Sequence, residues 1–540
     1  MTGAGGPARA GRAWQGHEHY AHKVLSALIR DPGRIAVTGP GLDLPAGALA
    51  RSVLAVAAQL RRSGVTHGST VAILTEPNHP HMLTIRYAVH LTGAAAVYIR
   101  STNARSDERM LPASDQEQML AEVRAGLLVT DEANLARGRD LCRGLPCEAV
   151  AADLDVPAVA PAQAELGGAL RALPAPGYEP ESLLVITYTN GSTGRPKAVC
   201  HSYRTWNNMA AGFEAVVRGA APPRFLAVTP VAQTVGVMLD GTLAAGGSVV
   251  LLRRFGAAEV LHAFTDLGVT DCYLAVPHLY ALTEDAAVAA ADLSGLRSVI
   301  YSGSPAAPRR IAQSARIFGR ALLQSYGSTE SGPISYLGSW EHLDAELLST
   351  VGRPYPGVRV RVCDPGSRRE QPAGECGEIW IRSGSIMSGY LDDPELNAEV
   401  LRDGWLRTGD LGYLDDRGYL RLVDRIGQVI KNGGLKIYPT TIEKALMDHP
   451  DVREAAVIGV RHRHDYEEAY AAVAIRPGAA CTLADLREHV SGLLSPEQAP
   501  AVMSRWAALP ADESGKVDRP LLRTLVEAGD GWRHGQLAEG

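Results

Sequence analysis

Segments with helical spacing and segments with strand character take turns along most of this chain. That alternation narrows its possible folds more than any other feature. VLAVAAQLRRSG (53–64) reads as a helix and TVAILT (70–75) as a strand; VLHAFTDLG (260–268) and VTDCYLAV (269–276) repeat the pair. The pattern predicts α/β layers around largely parallel sheets. Near residue 350 the texture changes to short alternating strands with frequent Gly and Pro, as in VGRPYPGVRVRVCD (351–364) and GEIWIRSG (377–384). This predicts a small β-rich subdomain over about 345–423, closing a large N-terminal domain of 17–423. A turn-rich stretch then leads to TIEKALMDH (helix), REAAVIGV (strand), EEAYAAVAI (strand) and ADLREHVSGLL (helix). A hinge is expected at 424–428 and a mobile α+β C-terminal domain at 429–527, with tails at 1–16 and 528–540.

With 540 residues the chain exceeds a single ordinary core. Its net charge of −6, with both signs mixed, gives no basic footprint for nucleic acid. No apolar run approaches the roughly 20 residues of a membrane helix, and the N-terminus has no apolar signal segment. Seven sparsely spaced cysteines fit a reduced, cytoplasmic protein. Cys142 and Cys147 lack a second pair at zinc spacing, and His17, His19 and His22 read as a solvated near-terminal segment.

The stretch TYTNGSTGRPKAV (187–199) follows the apolar run LLVI. Gly191 and Gly194 allow successive backbone N–H groups to form an anion nest. Thr189, Ser192 and Thr193 add hydroxyls, Asn190 opens the turn, and Lys197 brings a positive charge. The stretch lacks the Gly-Lys-Ser/Thr ending of a Walker loop. Taken alone it is equally an ordinary Gly/Ser/Thr turn. Ser202 is a plausible cap for a following helix, with Trp206, Met209, Ala210 and Phe213 at helical spacing. Four further stretches carry chemistry: QSYGSTESG (324–332) with Glu330, LRTGDLG (406–412) with Asp410, VDRIGQVIKNGGLKIYPTTIE (423–443), and LPADESGKVDRPLLR (509–523) with Lys516 on a glycine turn.

These five stretches, in this order over about residues 20–527, resemble the adenylate-forming superfamily of acyl-CoA synthetases, aryl-acid adenylating enzymes and luciferases. The resemblance implies ATP as cosubstrate, with the loop 189–197 on its β- and γ-phosphates and Glu330 holding Mg²⁺, a hard cation suited to oxygen ligands. Thr329 is then the α-phosphate contact. Gly303, Ser304, Pro305, Gln324, Tyr326 and Gly327 surround the adenine, while Asp410 and Arg425 serve the ribose. Lys516 bridges the attacking oxygen and the α-phosphate, and the turn at Gly433 and Gly434 admits a thiol in a second step. That thiol is coenzyme A or the pantetheine of a separate acyl carrier protein.

The chain departs from the family pattern in three places. Gly427 replaces the usual Asp or Lys at the hinge; glycine permits rotation, but its ordering costs more. Gln233 stands where His or an aromatic is common, and Thr234 where amino-acid-activating members carry Asp, which argues against an α-amino acid. Ala198 replaces a frequent glycine. The acyl pocket is expected around Gln233, Thr234, Gly236 and Leu239, with Ser304, Ala306, Ser328 and Gly332, all uncharged. The resulting expectation is adenylation of a small aryl or short-chain carboxylic acid, releasing pyrophosphate, followed by transfer to a thiol. The alternative implied by the same resemblance is ATP-dependent activation of nitrite to diazotise an arylamine, as in some actinobacterial secondary metabolism.

Overall fold

The computed structural model describes residues 19–39, 41–99, 111–154, 162–173, 179–190, 196–219, 221–232, 235–432, 435–461, 467–511 and 516–528. Continuous apolar runs such as TVAIL (Thr70–Leu74) and SVIYS (Ser298–Ser302) are buried along nearly their whole length, the mark of central parallel strands covered on both faces. They sit in two large sheets. One runs Gly389–Tyr390, Pro196–Ser202, Leu183–Asn190, Ala95–Tyr98, Thr70–Leu74, Leu127–Thr130, Glu148–Ala151. The other, of nine strands, has a parallel centre from Leu322–Ser328 through Ser298–Ser302 and Asp271–Ala275 to Ile35–Gly39, with antiparallel strands at both edges. Helices Tyr20–Arg30, Ala46–Arg62, Pro80–Leu91, Tyr203–Val217 and Val235–Ala244 contribute to one shared apolar core with strands of both sheets.

The two ends of the 187–199 stretch belong to antiparallel strands, Leu183–Asn190 paired with Pro196–Ser202. Pro196 is the first residue of its strand, where a missing N–H is tolerated. The helix begins after them, as expected, with Ser202 Oγ accepting from the Thr205 N–H at 3.3 Å. One expectation is corrected here: His19 is not a solvated near-terminal residue. It is fully buried, stacks near Tyr203 and caps Tyr20–Arg30 by accepting from the Ala21 N–H at 3.1 Å. His22 is half-buried on that helix, and His17 lies outside the described residues.

The β-rich portion pairs Arg359–Cys363, Gly377–Arg382, Trp405–Leu414 and Leu401–Arg402, with Leu420–Arg425 added to the long strand. A short turn, Ile426–Gln428, leads into the C-terminal elements. There a sheet of Val452–Arg461, Glu467–Ile475 and Val502–Arg505 packs on helices Pro439–Asp448 and Leu483–Leu493 through Ile442, Leu446, Val457, Val473, Leu486 and Val490. The second of these helices starts with a reciprocal Thr482/Asp485 capping box. Among the described residues, no helix is long and apolar enough to cross a membrane.

One carboxylate ties the C-terminal elements to the large domain. Glu284 accepts from Arg310 of its own domain and, at 2.7 Å, from Arg476 of the C-terminal sheet. Arg310 lies 3.7 Å from the Tyr280 ring centre and donates to the Arg453 carbonyl at 2.9 Å.

Candidate active site

The strands Ser298–Ser302 and Leu322–Ser328 run parallel, with Tyr301 level with Gln324, so their C-terminal ends open side by side. Ligands of open α/β sheets bind beyond such ends. Gly303 to Pro305 continue the first strand; Gln324, Tyr326, Gly327 and Ser328 lie on the second. The turn that follows is locked by its serines: Ser328 N–H donates to Ser331 Oγ at 2.8 Å, and Ser331 N–H to Ser328 Oγ at 3.2 Å. It presents Thr329 and Glu330. Gly332 has φ +63°, and a Cβ there would come within 2.8 Å of the Ser385 Cβ, so only glycine closes this turn.

Glu330 meets Lys197 through an aromatic ring. Tyr390 donates its hydroxyl to Glu330 Oε1 at 3.1 Å, and Lys197 Nζ lies 5.2 Å from the Tyr390 ring centre. Burial, reinforced by the Glu330 charge, pushes the Tyr390 phenol well up, so it stays a donor. Tyr390 was not singled out from the sequence; its place follows from pairing Gly389–Tyr390 beside Pro196–Ser202.

Asp410 and Arg425 are direct cross-strand partners. Arg425 Nε donates to Asp410 Oδ1 at 2.8 Å, and the Tyr326 hydroxyl donates to Oδ2 at 2.5 Å. The Asp410 charge raises the Arg425 guanidinium further, and burial beside that carboxylate raises the Tyr326 phenol. Arg425 keeps half of its side chain exposed (52%), which leaves donors for a ligand.

Lys516 arrives from the C-terminal domain. A Cβ built on Gly303, whose φ is +95°, would stand 3.1 Å from Lys516 Cε and 3.6 Å from Nζ. The lysine therefore reaches the strand end predicted to face the nucleotide. Its described neighbours are tied down: Ala511 bridges Val517, Asp518 N–H donates to the Pro510 carbonyl at 2.8 Å, and Arg519 pairs with Glu443 at 2.6 Å. Asp424, just before the turn that carries Gly427, accepts from Thr440 N–H and Oγ1 at 3.0 and 3.1 Å.

A narrow cavity of about 20 Å³ lies beside the Ser328–Gly332 turn, walled by Thr187, His201, Trp206, Met209, Val237, Ser328, Thr329 and Gly332. Of the residues expected at the acyl pocket, Ser328 and Gly332 are among its walls, and Ser304, Ala306 and Gly236 are not. Ala306 is buried just ahead of the helix Pro308–Phe318, and Gly236 instead faces the buried Arg86. Thr187, His201, Trp206 and Met209 were missed as site residues; the helical spacing of Trp206 and Met209 reads as core, and only the packing reveals the cavity. Behind it, Asp240 accepts from Trp206 Nε1 at 2.8 Å, from the Tyr87 hydroxyl at 2.7 Å and from Arg86. A wider surface cleft of about 480 Å³, lined by Ser63, Gly126, Leu391 and Asp392 among others, contains none of the expected site residues.

Thr189 Oγ1 donates to the Lys197 carbonyl at 3.4 Å, and Asn190 pairs with Pro196 through its backbone. Gly191, Ser192, Thr193, Gly194, Gln233, Thr234, Gly433 and Gly434 lie outside the described residues.

His201 is buried (2% exposed) and donates through Nε2 to the Thr329 carbonyl at 2.9 Å. Burial depresses its pKa from 6.5 to about 4, only partly offset by the Thr329 carbonyl and Glu330. Burial also holds His19 and His90 far below the usual value. The unfolded chain therefore takes up protons first as pH falls, and stability present above pH 6.5 declines steadily towards pH 4. His19 and His90 act in the same direction, stabilising the fold above pH 6.5 and less as pH falls below it. Urea midpoints at pH 7 and pH 5 should show it, and equal midpoints would refute it.

The comparisons with known proteins agree with this layout. Residues 27–391 match the family model for AMP-binding enzymes, and residues 441–516 the model for the AMP-binding enzyme C-terminal domain. A feruloyl-CoA synthase of an Amycolatopsis species is 32% identical over 491 residues, covering 90% of this chain and 94% of that one. An indoleacetate–CoA ligase of Aromatoleum aromaticum is 31% identical over 505 residues, covering 92% and 96%. The solved structure of the amide bond synthetase McbA from Marinactinospora thermotolerans superposes with a TM-score of 0.80 at 33% identity, covering 94% and 99%. With both family models matched in order and relatives aligned nearly end to end, this chain belongs to the AMP-binding enzymes, as an ATP-dependent, AMP-forming ligase of the acid–thiol type.

Proposed function

We propose that this enzyme condenses a compact organic acid with ATP to give acyl-adenylate and pyrophosphate, and then passes the acyl group to a thiol. The observation that carries the reading is Lys516 of the C-terminal domain lying against Gly303 at the strand ends. In this reading the acid's carboxylate attacks the α-phosphate in line and pyrophosphate leaves. Lys516 offsets the charge that builds on the attacking and α-phosphate oxygens. Loop 189–197 with Lys197 grips the departing phosphates, Thr329 contacts the α-phosphate, and Gly303, Ser304, Pro305, Gln324, Tyr326 and Gly327 border the base. Asp410 and Arg425 receive the ribose.

Glu330 fits Mg²⁺: its carboxylate is a hard oxygen donor on a fixed turn, one oxygen is held by Tyr390, and phosphate oxygens would complete the shell. Magnesium would supply charge neutralisation on the leaving phosphates. Rotation at Gly427 would then bring Gly433 and Gly434 to the site for the thiol, from coenzyme A or a carrier-bound pantetheine. The names of the CoA-ligase relatives fit this reading and lend nitrite activation no support. Likeness to an amide bond synthetase favours a second reading, in which an amine takes the adenylate directly.

Pyrophosphate release measured over a panel of aryl and short-chain acids, with coenzyme A, with an amine, or with neither, tests both. Acid-dependent release with thioester formation is expected. Amide without thioester would favour the second reading, and absence of acid-dependent release from folded, ATP-binding protein would refute both.

A further inference from the structure

The cavity beside the Ser328–Gly332 turn has an uneven polar lining. Trp206 commits its indole N–H to Asp240 at 2.8 Å, and the Ser328 hydroxyl is engaged with Ser331. Met209 and Val237 are apolar. His201 uses Nε2 against the Thr329 carbonyl, which can only accept, so the ring proton sits on Nε2. Nδ1 is left as a bare acceptor, buried and with no hydrogen-bond partner among the described residues. Leaving such an atom unmatched costs about 1–3 kcal/mol. A cavity of about 20 Å³ has room for one water. An acid that enters must expel such a water and either replace its hydrogen bond or lose it.

We infer that the acid carries a hydrogen-bond donor, a hydroxyl or an N–H, on the portion that enters this cavity, and that His201 Nδ1 is its acceptor. The inference rests on the adenylation reading and names the substrate class: a compact acid, apolar where it meets Trp206, Met209 and Val237, with one O–H or N–H turned to His201. The cavity is too narrow for a ring without wall movement, and Met209, with its unbranched side chain, is the wall best able to yield. His201 was absent from the expected site because nothing in its sequence context separates it from a core histidine.

The test compares kcat/KM for pyrophosphate release on matched acids: hydroxy- and amino-substituted benzoates and phenylacetates against their methyl isosteres at each ring position. The wild-type enzyme should prefer a donor-bearing acid by about 10- to 100-fold, as expected when a buried acceptor is satisfied or left unpaired. Two variants separate recognition from support of the turn. His201→Gln can keep the amide-to-Thr329 bond while removing the acceptor at the Nδ1 position, and should lose the preference while still turning over the methyl acids. His201→Asn can keep an oxygen near the Nδ1 position and should retain the preference. Indifference of the wild type among acids it does turn over would overturn this inference alone, as would a preference that survives His201→Gln. Failure of every acid to release pyrophosphate would take down the adenylation reading with it.

Discussion

Lys516→Ala is expected to slow acid-dependent pyrophosphate exchange by about 10²–10³-fold, the scale on which removal of one positioned charge-stabilising donor acts. ATP binding should persist, because the residues expected to hold base, ribose and phosphates all lie outside the C-terminal domain. Next to the lysine, Val517 bridges Ala511 and Arg519 pairs with Glu443, which ties these neighbours to the C-terminal domain. Exchange rates and nucleotide binding, measured on the same preparation, check the prediction. Equal exchange in variant and wild type would remove Lys516 from the first half-reaction. Parallel loss of exchange and ATP binding would point to a structural role.

Arg86→Ala should be among the most destabilising single substitutions in the chain. Arg86 and Asp240 are both wholly excluded from solvent, and the carboxylate answers to Arg86, Tyr87 and Trp206 at once. Removing the guanidinium leaves an uncompensated carboxylate in the core, which costs about 3–5 kcal/mol. The double variant Arg86→Met/Asp240→Leu should recover part of that loss, since it removes both charges together. Urea denaturation of Arg86→Ala and of the double variant decides the matter; a single-variant loss below about 1 kcal/mol would show that the pair carries little. Arg86→Ala should also loosen Trp206, whose indole N–H depends on the same carboxylate, and so widen the cavity.

Much of this architecture was legible in the chain because it is written locally. Apolar runs of four to eight residues between helical periods announced parallel strands, and glycine turns next to Glu330, Asp410 and Lys516 marked side chains that gather around the ends of Ser298–Ser302 and Leu322–Ser328. What stayed hidden depends on which distant elements become neighbours. Trp206 and Met209 have the spacing of a core stripe and are indeed buried; the same helix face also borders a cavity, which no periodicity records. Tyr390 sits in an unremarkable GYL and acquires its contact with Glu330 only because its short strand joins the sheet beside Pro196–Ser202. His19 was misread because closeness to a chain end suggests solvation, whereas the first helix is clamped beneath Tyr203 and His90.

The shared carboxylate at Glu284 bears on how easily the enzyme can cycle. Turning the C-terminal domain away at 426–428 would break the Arg476 contact and the Arg310 bond to the Arg453 carbonyl, but the Arg310–Glu284 pair belongs wholly to the large domain and can stay. The anion would not be stranded, and Arg476, already a third exposed, would pass to water. Undocking at this contact would thus be a partial exchange of partners and not the rupture of a sealed ion pair, and the ratio of docked to undocked arrangements should respond to ionic strength.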